Sequence, residues 1–316
     1  MVKRLLLPTD IPRQLWICEA DCLCLPQLLT GKYKEVLARK GLLNCAQHDP
    51  SDEGPVGGIT ESDTQKHFAT RFSTSVARAQ LAVLDPKEQL AVTSDAFLEA
   101  FSGGKISLLD IPCGAGAVSS SLLSTICALR ESGAVPRQPL FVKLVAGDLS
   151  PYALDYAAEM LSAINDRLVR QGIHVEPIFE NWDVLDDRST TALLYKWIDA
   201  AKECREHFVV VANFSGFLQG NNQFRDAQPQ LSEVFRWAEQ RRSTVMWLEP
   251  QTNEALKGLW PRVFAWFQKK LARFFALTQE NAEPPLSSQC RYVHPIKAAV
   301  NPRVCLSLIL LKVNEG

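Results

Sequence analysis

Five short apolar runs alternate along the chain with segments of helical periodicity. Each run is apolar at nearly every position, which is typical of a strand buried on both faces of a sheet. The segments between them place apolar residues three or four apart, as helices packed on that sheet require. The pattern predicts parallel strands covered by helices on both sides. The runs are 106–111, 140–146, 174–179, 207–212 and 244–248, and the helices begin near Ala117, Pro151, Ser189 and Asp226.

The end of the chain departs from this alternation. After a predicted helix over 253–276, two β-like stretches, 289–293 and 304–313, are joined by a short loop that contains Pro295 and Pro302. That loop is too short for a crossover helix, so the two strands should form an antiparallel hairpin at the sheet edge. The predicted fold is therefore α/β: a three-layer, doubly wound, mostly parallel seven-stranded sheet with a C-terminal antiparallel hairpin and a helical N-terminal extension.

The predicted domain organisation has three parts. Residues 1–63 form an N-terminal extension that ends in an acidic loop rich in Gly and Pro over 49–65. Residues 64–103 form a helical lid segment, and residues 104–316 form the sheet domain.

The lid segment is predicted to contain helices over 64–84 and 87–101, separated by Pro86. Arg71 and Phe72 are its preferred residues for contact with a ligand. The remaining polar side chains of the first helix can face a ligand or water, and the amphipathic pattern favours water. They are His67, Ser73, Ser75, Arg78 and Gln80.

Every predicted parallel strand ends in a polar residue. Because the carboxyl ends of parallel strands share one edge, and ligands bind beyond that edge, these side chains predict a binding site. They are Asp110, Asp148, Asp183, Asn213 and Glu249.

The turn after the first of these strands carries the most specific motif. Asp110 closes the strand, and Gly114 and Gly116 follow before a long helix begins. An acid in this place can bind hydroxyl groups, and glycines let a ligand lie against bare backbone. The first turn of the helix adds unpaired N–H groups. This arrangement is typical of a nucleotide-type pocket.

These residues resemble the class I S-adenosylmethionine-dependent methyltransferases. The glycine motif of that family is an acid, three residues and then Gly-x-Gly, which residues 110–116 match. Asp148 matches the family's second acid, and Asp183 after Trp182 matches its third. The terminal hairpin is also a hallmark of the family.

The resemblance implies S-adenosylmethionine as the cofactor and S-adenosylhomocysteine as the product. Asp148 would bind the ribose hydroxyls, and Trp182 and Asp183 would contact the adenine. Leu149 would form a second apolar wall. The implied cofactor residues are Asp110, Pro112, Cys113, Gly114, Gly116, Asp148, Leu149, Trp182, Asp183 and Asn213.

Two other classes of protein remain open. A dinucleotide-binding fingerprint requires a third glycine where this chain has Ser119, and an acid about 20 residues on, much nearer than Asp148. Both departures count against a nicotinamide enzyme. A non-catalytic module that retains the fold and the cofactor site is the other alternative.

The methyl acceptor is predicted to lie beside Asn213-Phe214-Ser215-Gly216, after the fourth strand. This segment is similar in part to the Asn-Pro-Pro-aromatic motif of enzymes that methylate amino groups, but both prolines are absent. Asn213, Phe214 and Arg71 are the candidate catalytic residues. An ordinary turn at the end of a strand is an equally good interpretation of Asn213 and Phe214.

Composition narrows the class of partner. The formal net charge is −1, so no global basic field favours nucleic acid. A small-molecule acceptor is therefore the main prediction. An RNA acceptor is the alternative, because the segment 260–275 interleaves aromatic and basic residues.

The cellular compartment is predicted from the segments that the sequence does not show. It shows no apolar run of transmembrane length and no signal peptide, which predicts a cytoplasmic protein without a membrane partner. The nine cysteines have irregular spacing, so we expect reduced thiols and no metal site.

Overall fold

A computed structural model of the chain describes residues 4–48, 58–219, 223–251, 258, 261–263, 265–266, 285–297 and 300–312. Its helices and strands, in chain order, are β1 Trp16–Ile17, β2 Cys22–Leu23, α1 Gln27–Arg39, α2 Leu43–Gln47, α3 Glu61–Leu84, α4 Ala91–Phe101, β3 Gly104–Asp110, α5 Ala117–Glu131, β4 Leu140–Asp148, α6 Pro151–Arg170, β5 Ile173–Asn181, α7 Asp187–Ala201, β6 Glu206–Ala212, α8 Ser215–Gln219, α9 Gln223–Gln240, β7 Thr244–Pro250, β8 Leu286–Tyr292 and β9 Arg303–Leu311.

The strands form one sheet in the order β1-β2-β8-β9-β7-β6-β3-β4-β5. The five strands β3 to β7 pair in parallel, as predicted. Four of them are largely buried, but the prediction of a strand buried on both faces is wrong for β5, which forms the edge of the sheet and is mostly exposed or half-buried. The strand order reverses between β3 and β6, which is where doubly wound sheets open a crevice for ligands. Strand β9 pairs antiparallel with both β7 and β8, so the predicted C-terminal hairpin is confirmed.

The sheet is wider than predicted. The sequence pattern indicated seven strands, whereas the described residues form nine. The two additional strands, β1 and β2, are only two residues long each, and β2 pairs in parallel with β8. Strands this short leave no periodicity to detect, so only the tertiary structure shows that the extension continues the sheet.

Each face of the sheet has its own hydrophobic core. On one face, α3, α5 and α6 form a common core in which Phe68, Leu122 and Met160 are fully enclosed. On the other face, α7 packs over β3 and β4, and Phe235 of α9 stacks on Trp247 of β7. The prediction of three layers is confirmed.

Helix α3 is more deeply buried than its amphipathic pattern suggested. The interpretation of its polar side chains as a solvated face is wrong for Ser73, Ser75, Arg78 and Gln80, all of which are buried. The helix is enclosed because it packs on α5 and also lies against β8 and β9. Gln80 is partly satisfied inside: its Nε2 donates to the Cys24 carbonyl at 2.9 Å, whereas its Oε1 has no partner among the described residues.

Some predictions fall outside the described residues. The acidic loop is described only from residue 58 onward, and of the predicted helix 253–276 only positions 258, 261–263 and 265–266 are described. The proposed aromatic and basic face of that helix is therefore not placed. None of the helices that are described is long and apolar enough to cross a membrane.

Arg130 at the end of α5 joins three elements. Its side chain is buried, Nη1 donates to the Gln171 carbonyl at 2.8 Å, and Nη2 donates to the Ser102 carbonyl at 3.0 Å. The guanidinium thus ties α5 to the loops after α6 and α4. A buried cation with two carbonyl partners is a structural clamp.

Replacing Arg130 by Met should lower the free energy of unfolding by about 2–4 kcal/mol, because two backbone carbonyls, one of them at buried Gln171, lose their donor. Urea denaturation measures the change. Arg167→Met is the matched control: Arg167 pairs with Glu131 at the surface and its side chain is 46% exposed. Its loss should cost no more than about 1 kcal/mol. Equal effects from the two variants would contradict a clamp at Arg130.

Candidate active site

The backbone turn after β3 is held by its neighbours on both sides. Ile111 N–H donates to the Val210 carbonyl of β6 at 3.0 Å, and Cys113 N–H donates to the Gly147 carbonyl of β4 at 2.9 Å. These bonds place the turn at the point where the strand order reverses. The glycine motif therefore lies at the carboxyl end of β3, between β4 and β6.

Both glycines of the turn adopt left-handed backbone conformations, with φ of 52° at Gly114 and 70° at Gly116. Gly116 is also restricted by packing, because a Cβ there would lie 3.0 Å from Cβ of Ala157 on α6. A Cβ at Gly114 would meet nothing within 4 Å. Gly116 therefore allows α5 and α6 to approach closely, while Gly114 leaves open space beside the turn.

The carboxylate of Asp148 connects the glycine turn to the start of α6. Its Oδ2 accepts from Gly114 N–H at 2.8 Å and its Oδ1 accepts from Ser150 N–H at 2.9 Å. Burial raises the pKa of Asp148, and the two N–H donors oppose that shift. Each carboxylate oxygen has a second lone pair, so the group can still accept from a ligand.

Asp110 lies fully buried at the end of β3. Its Oδ2 accepts from Ser119 N–H of α5 at 3.2 Å, whereas its Oδ1 is enclosed and has no partner among the described residues. Burial raises the pKa of this carboxyl from 3.8 to about 7, and the nearby Asp148 carboxylate adds to the shift. An enclosed oxygen without a donor is the kind of group that a bound cation satisfies.

The remaining predicted cofactor residues are spread around this turn. Pro112 is half-buried beside buried Cys113, and Leu149 is half-buried after Asp148. Burial raises the pKa of the Cys113 thiol well above its usual value, which favours the neutral thiol over the thiolate.

Trp182 and Asp183, the two residues predicted to contact an adenine, lie in different environments. The Trp182 indole is enclosed in the core on the α7 side, where its Nε1 donates to Thr190 Oγ1 at 3.1 Å. Asp183 is half-buried, and its Oδ1 accepts from Leu185 N–H at 2.9 Å. Asp183 thus stays near the surface at the end of β5, while the faces of Trp182 are packed.

Asn213 begins the turn after β6 and is exposed, with a left-handed φ of 55°. Helix α3 holds its amide at both ends: Oδ1 accepts from Arg78 Nη1 at 2.5 Å, and Nδ2 donates to Ser75 Oγ at 3.3 Å. The Phe214 ring is buried and stacks on Phe217 with the centroids 5.4 Å apart. The structure therefore places Asn213 at the candidate site and Phe214 in the core below it.

Glu249 at the end of β7 supports that turn from beneath. The carboxylate is fully buried, and its Oε1 accepts from Phe214 N–H at 2.9 Å and from Ser215 N–H at 3.1 Å. The Trp247 indole donates to the same oxygen at 2.8 Å. Burial raises the pKa of Glu249, and these donors oppose the shift.

Helix α3 crosses the open edge above both turns. Near its start, Thr64 Oγ1 lies 3.0 Å from Ser150 Oγ, and further along Arg78 reaches Asn213. Arg71 and His67 lie between these points. Burial lowers the pKa of His67 to about 4, with Arg71 and Arg78 adding to the shift, so this imidazole is neutral.

Sequence reasoning undervalued Arg78 and Ser75, which contact the predicted site directly. One signal could have identified them. From Val76 to Leu84 the only polar residues are Arg78 and Gln80, so this part of the helix has no polar face to expose. A charged residue in such a stretch has a buried partner or a ligand.

No protein-family model and no curated protein sequence matches the chain. Solved structures are similar at low identity. A precorrin-6Y C5,15-methyltransferase from Geobacter metallireducens is 8% identical over 72% of this chain and 92% of that chain, with a TM-score of 0.33. A class I S-adenosylmethionine-dependent methyltransferase, described as putative, from Listeria monocytogenes is 12% identical over 92% and 87%, with a TM-score of 0.33.

A further structure, an S-adenosyl-L-methionine-dependent methyltransferase from Methanococcus maripaludis also described as putative, is 10% identical over 83% of this chain and 97% of that chain, with a TM-score of 0.29.

Gly116→Ala should lower the free energy of unfolding by about 2–3 kcal/mol, because it combines a strained φ with a clash against Ala157. Gly114→Ala is the matched control, since it meets the same backbone strain in open space and should cost about 1 kcal/mol. Urea denaturation compares the two. A smaller loss at Gly116 than at Gly114 would show that α5 and α6 do not depend on this close approach.

Asp110→Asn should stabilise the protein at alkaline pH. The folded state keeps a proton on Asp110 up to a pH of about 7, whereas the unfolded chain releases it near 3.8. This penalty is absent below pH 3.8, grows as the pH rises to about 7 and then stays constant. The variant lacks it, so it should gain up to about 4 kcal/mol over the wild type at pH 8.

Denaturation of both proteins at pH 5 and pH 8 measures the effect, and their difference isolates Asp110 from the other buried carboxyls. A variant that is less stable than the wild type at pH 8 would show that the ionised carboxylate stabilises the fold.

Proposed function

We propose that this protein is an S-adenosylmethionine-dependent methyltransferase that acts on a small-molecule acceptor. The observation that carries the proposal is the enclosed, unpartnered Oδ1 of Asp110 at the end of β3. A buried carboxylate oxygen without a donor is costly unless a ligand supplies one. The cofactor carries an ammonium group that can do so.

The other residues of the turn fit the same cofactor. Asp148 lies at the end of the neighbouring strand, and its oxygens retain lone pairs for the two ribose hydroxyls. Gly114 presents bare backbone with open space around its missing Cβ. Asp183, half-buried at the end of β5, can accept from the exocyclic amine of the adenine.

The bound cofactor would supply an electrophilic methyl group on a sulfonium. The task of the chain is to hold the acceptor in line with that methyl and to exclude water. Helix α3 is well placed for both, because it crosses the open edge from Ser150 to Asn213. Neutral His67 on that helix can accept a proton from an acceptor, provided that the acceptor has one to lose.

The enclosure of the site supports a small acceptor. Side chains of α3 are buried along most of its length, and Arg78 and Ser75 close over the turn at Asn213. A site covered by a packed helix suits a compact molecule better than an RNA strand, which needs an open charged channel. The net charge of −1 agrees with this choice.

Titration calorimetry with S-adenosylmethionine tests the proposal. The wild type should bind, and Asp110→Asn should bind about 10–100-fold more weakly, because a charge-assisted hydrogen bond is lost. The wild-type affinity should fall as the pH drops below about 7, since protonated Asp110 no longer attracts an ammonium. The affinity of the variant should not change over that range.

Asp186→Asn is the control for this experiment. Asp186 is the exposed N-cap of α7, and Asn caps helices equally well, so stability and binding should both be retained. Absence of binding to the wild type would refute the proposed function. Binding that is independent of pH and of Asp110 would refute the assigned position of the ammonium.

A further inference from the structure

Arg78 is a buried cation that forms no ion pair with any described residue. Its side chain lies under α3 at the ends of β6 and β7, and its residue is 9% exposed. Among the described residues, its one hydrogen bond goes to the neutral amide of Asn213. Its Nε is enclosed and unpartnered.

Two other enclosed arginines among the described residues have more acceptors than Arg78. Arg4, whose side chain is 11% exposed, forms ion pairs with two carboxylates, Asp85 at 3.1 Å and Asp95 at 3.3 Å. Arg130 donates to two backbone carbonyls. Each of the three arginines also has one enclosed nitrogen without a partner in the described part of the chain, so they differ in their acceptors. Removing a guanidinium from water is costly unless acceptors replace the water, and Arg78 has one neutral acceptor, Asn213.

Glu249 is not a hydrogen-bond acceptor for Arg78. Its charge lies near enough to Arg78 to favour the charged guanidinium, but no ion pair joins them in the described part of the chain. Oε1 of Glu249 is instead occupied by the donors Phe214 N–H, Ser215 N–H and Trp247 Nε1. Oε2 of Glu249 is enclosed and has no hydrogen-bond partner among the described residues. The carboxylate is thus bonded to the turn and not to Arg78, whose guanidinium can still pair with another anion.

Arg78 belongs to the acceptor half of the site. The charged and titratable groups near it are on α3, β7, β8 and β9: Glu249, Tyr292, Arg71 and Cys305. The proposed cofactor acids form a separate group, in which the charge of Asp148 raises the pKa of Asp110. Asn213, to which Arg78 donates, is exposed, so a ligand can reach this point.

We propose that Arg78 binds a carboxylate group of the methyl acceptor, which this guanidinium holds at the ends of β6 and β7. A planar guanidinium can donate two parallel hydrogen bonds to a carboxylate, which fixes both the position and the orientation of the acceptor. Arg78 is in this sense a specificity residue. The inference rests on the proposed function, because it assumes that a methyl donor lies on the opposite side of the site.

Stability measurements distinguish a ligand site from a structural clamp. Arg78→Met removes an uncompensated buried charge and leaves Asn213 exposed to water. Its melting temperature should stay within about 2 °C of the wild type or rise. Arg130→Met, the matched control with two carbonyl partners, should melt several degrees lower. A large drop for Arg78→Met would overturn the proposal, because it would make Arg78 a structural residue.

Benzoate and benzamide provide a matched pair of probes for the anion, since they differ mainly in charge. With S-adenosylhomocysteine present, about 20 mM benzoate should raise the melting temperature of the wild type by about 2–4 °C. Benzamide should leave the melting temperature of the wild type unchanged. The shift should vanish in Arg78→Met, persist in Arg130→Met and be retained in part by Arg78→Lys, which keeps the charge without the fork. Equal shifts in the wild type and Arg78→Met, or none in the wild type, would overturn the proposal.

The methyl donor also contains a carboxylate, in its amino-acid tail. A second experiment tests whether that carboxylate is the anion that binds Arg78. Calorimetry should give S-adenosylhomocysteine affinities that agree within about threefold between the wild type and Arg78→Met. If the variant binds it more than tenfold more weakly, while methylthioadenosine, which lacks the amino-acid tail, binds both equally, then the anion belongs to the donor and the acceptor assignment is wrong. Failure of the wild type to bind S-adenosylhomocysteine would instead refute the proposed function.

Discussion

The candidate site depends on one carboxylate that joins three parts of the fold. Asp148 accepts from Gly114 in the turn after β3 and from Ser150 at the start of α6. Ser150 Oγ in turn lies 3.0 Å from Thr64 Oγ1 on α3. These hydrogen bonds therefore hold the glycine turn, the end of β4 and helix α3 in fixed positions relative to one another. Charge-assisted hydrogen bonds to backbone N–H groups are short and directional, so they fix the positions of these elements relative to one another.

Around this junction the protein keeps charges where burial disfavours them. Asp110 has an enclosed oxygen without a donor, and Arg78 has an enclosed nitrogen without an acceptor. Asp110 lies at the end of β3, and Arg78 on α3 donates to Asn213 in the turn after β6, so both border the point of reversal. Such groups reduce the stability of the fold, and ligand charges that satisfy them bind more tightly. In the two proposals made above, Asp110 would bind a cation on the donor side and Arg78 an anion on the acceptor side, so the two halves of the site would select opposite charges.

Much of the architecture could be predicted from local patterns. The apolar runs ended at polar residues in the right places, and the short loop near Pro302 required an antiparallel hairpin. Asp110, Gly114, Gly116 and Asp148 came together because a parallel sheet aligns the carboxyl ends of its strands. Strands β1 and β2 escaped detection, since two residues carry no periodicity. The buried polar side chains of α3 were also misassigned, because their burial results from elements distant in sequence.

The sequence by itself determined which strands are parallel, where they end and which residues form the glycine turn, because these depend on short-range periodicity and on backbone freedom at Gly114 and Gly116. Only the tertiary structure decided which polar groups lack partners. Whether a charge such as Arg78 is compensated depends on what packs against it from β6, β7 and β9, and those contacts join residues more than a hundred positions apart. The proposals about the ligands of the site rest on these long-range hydrogen bonds.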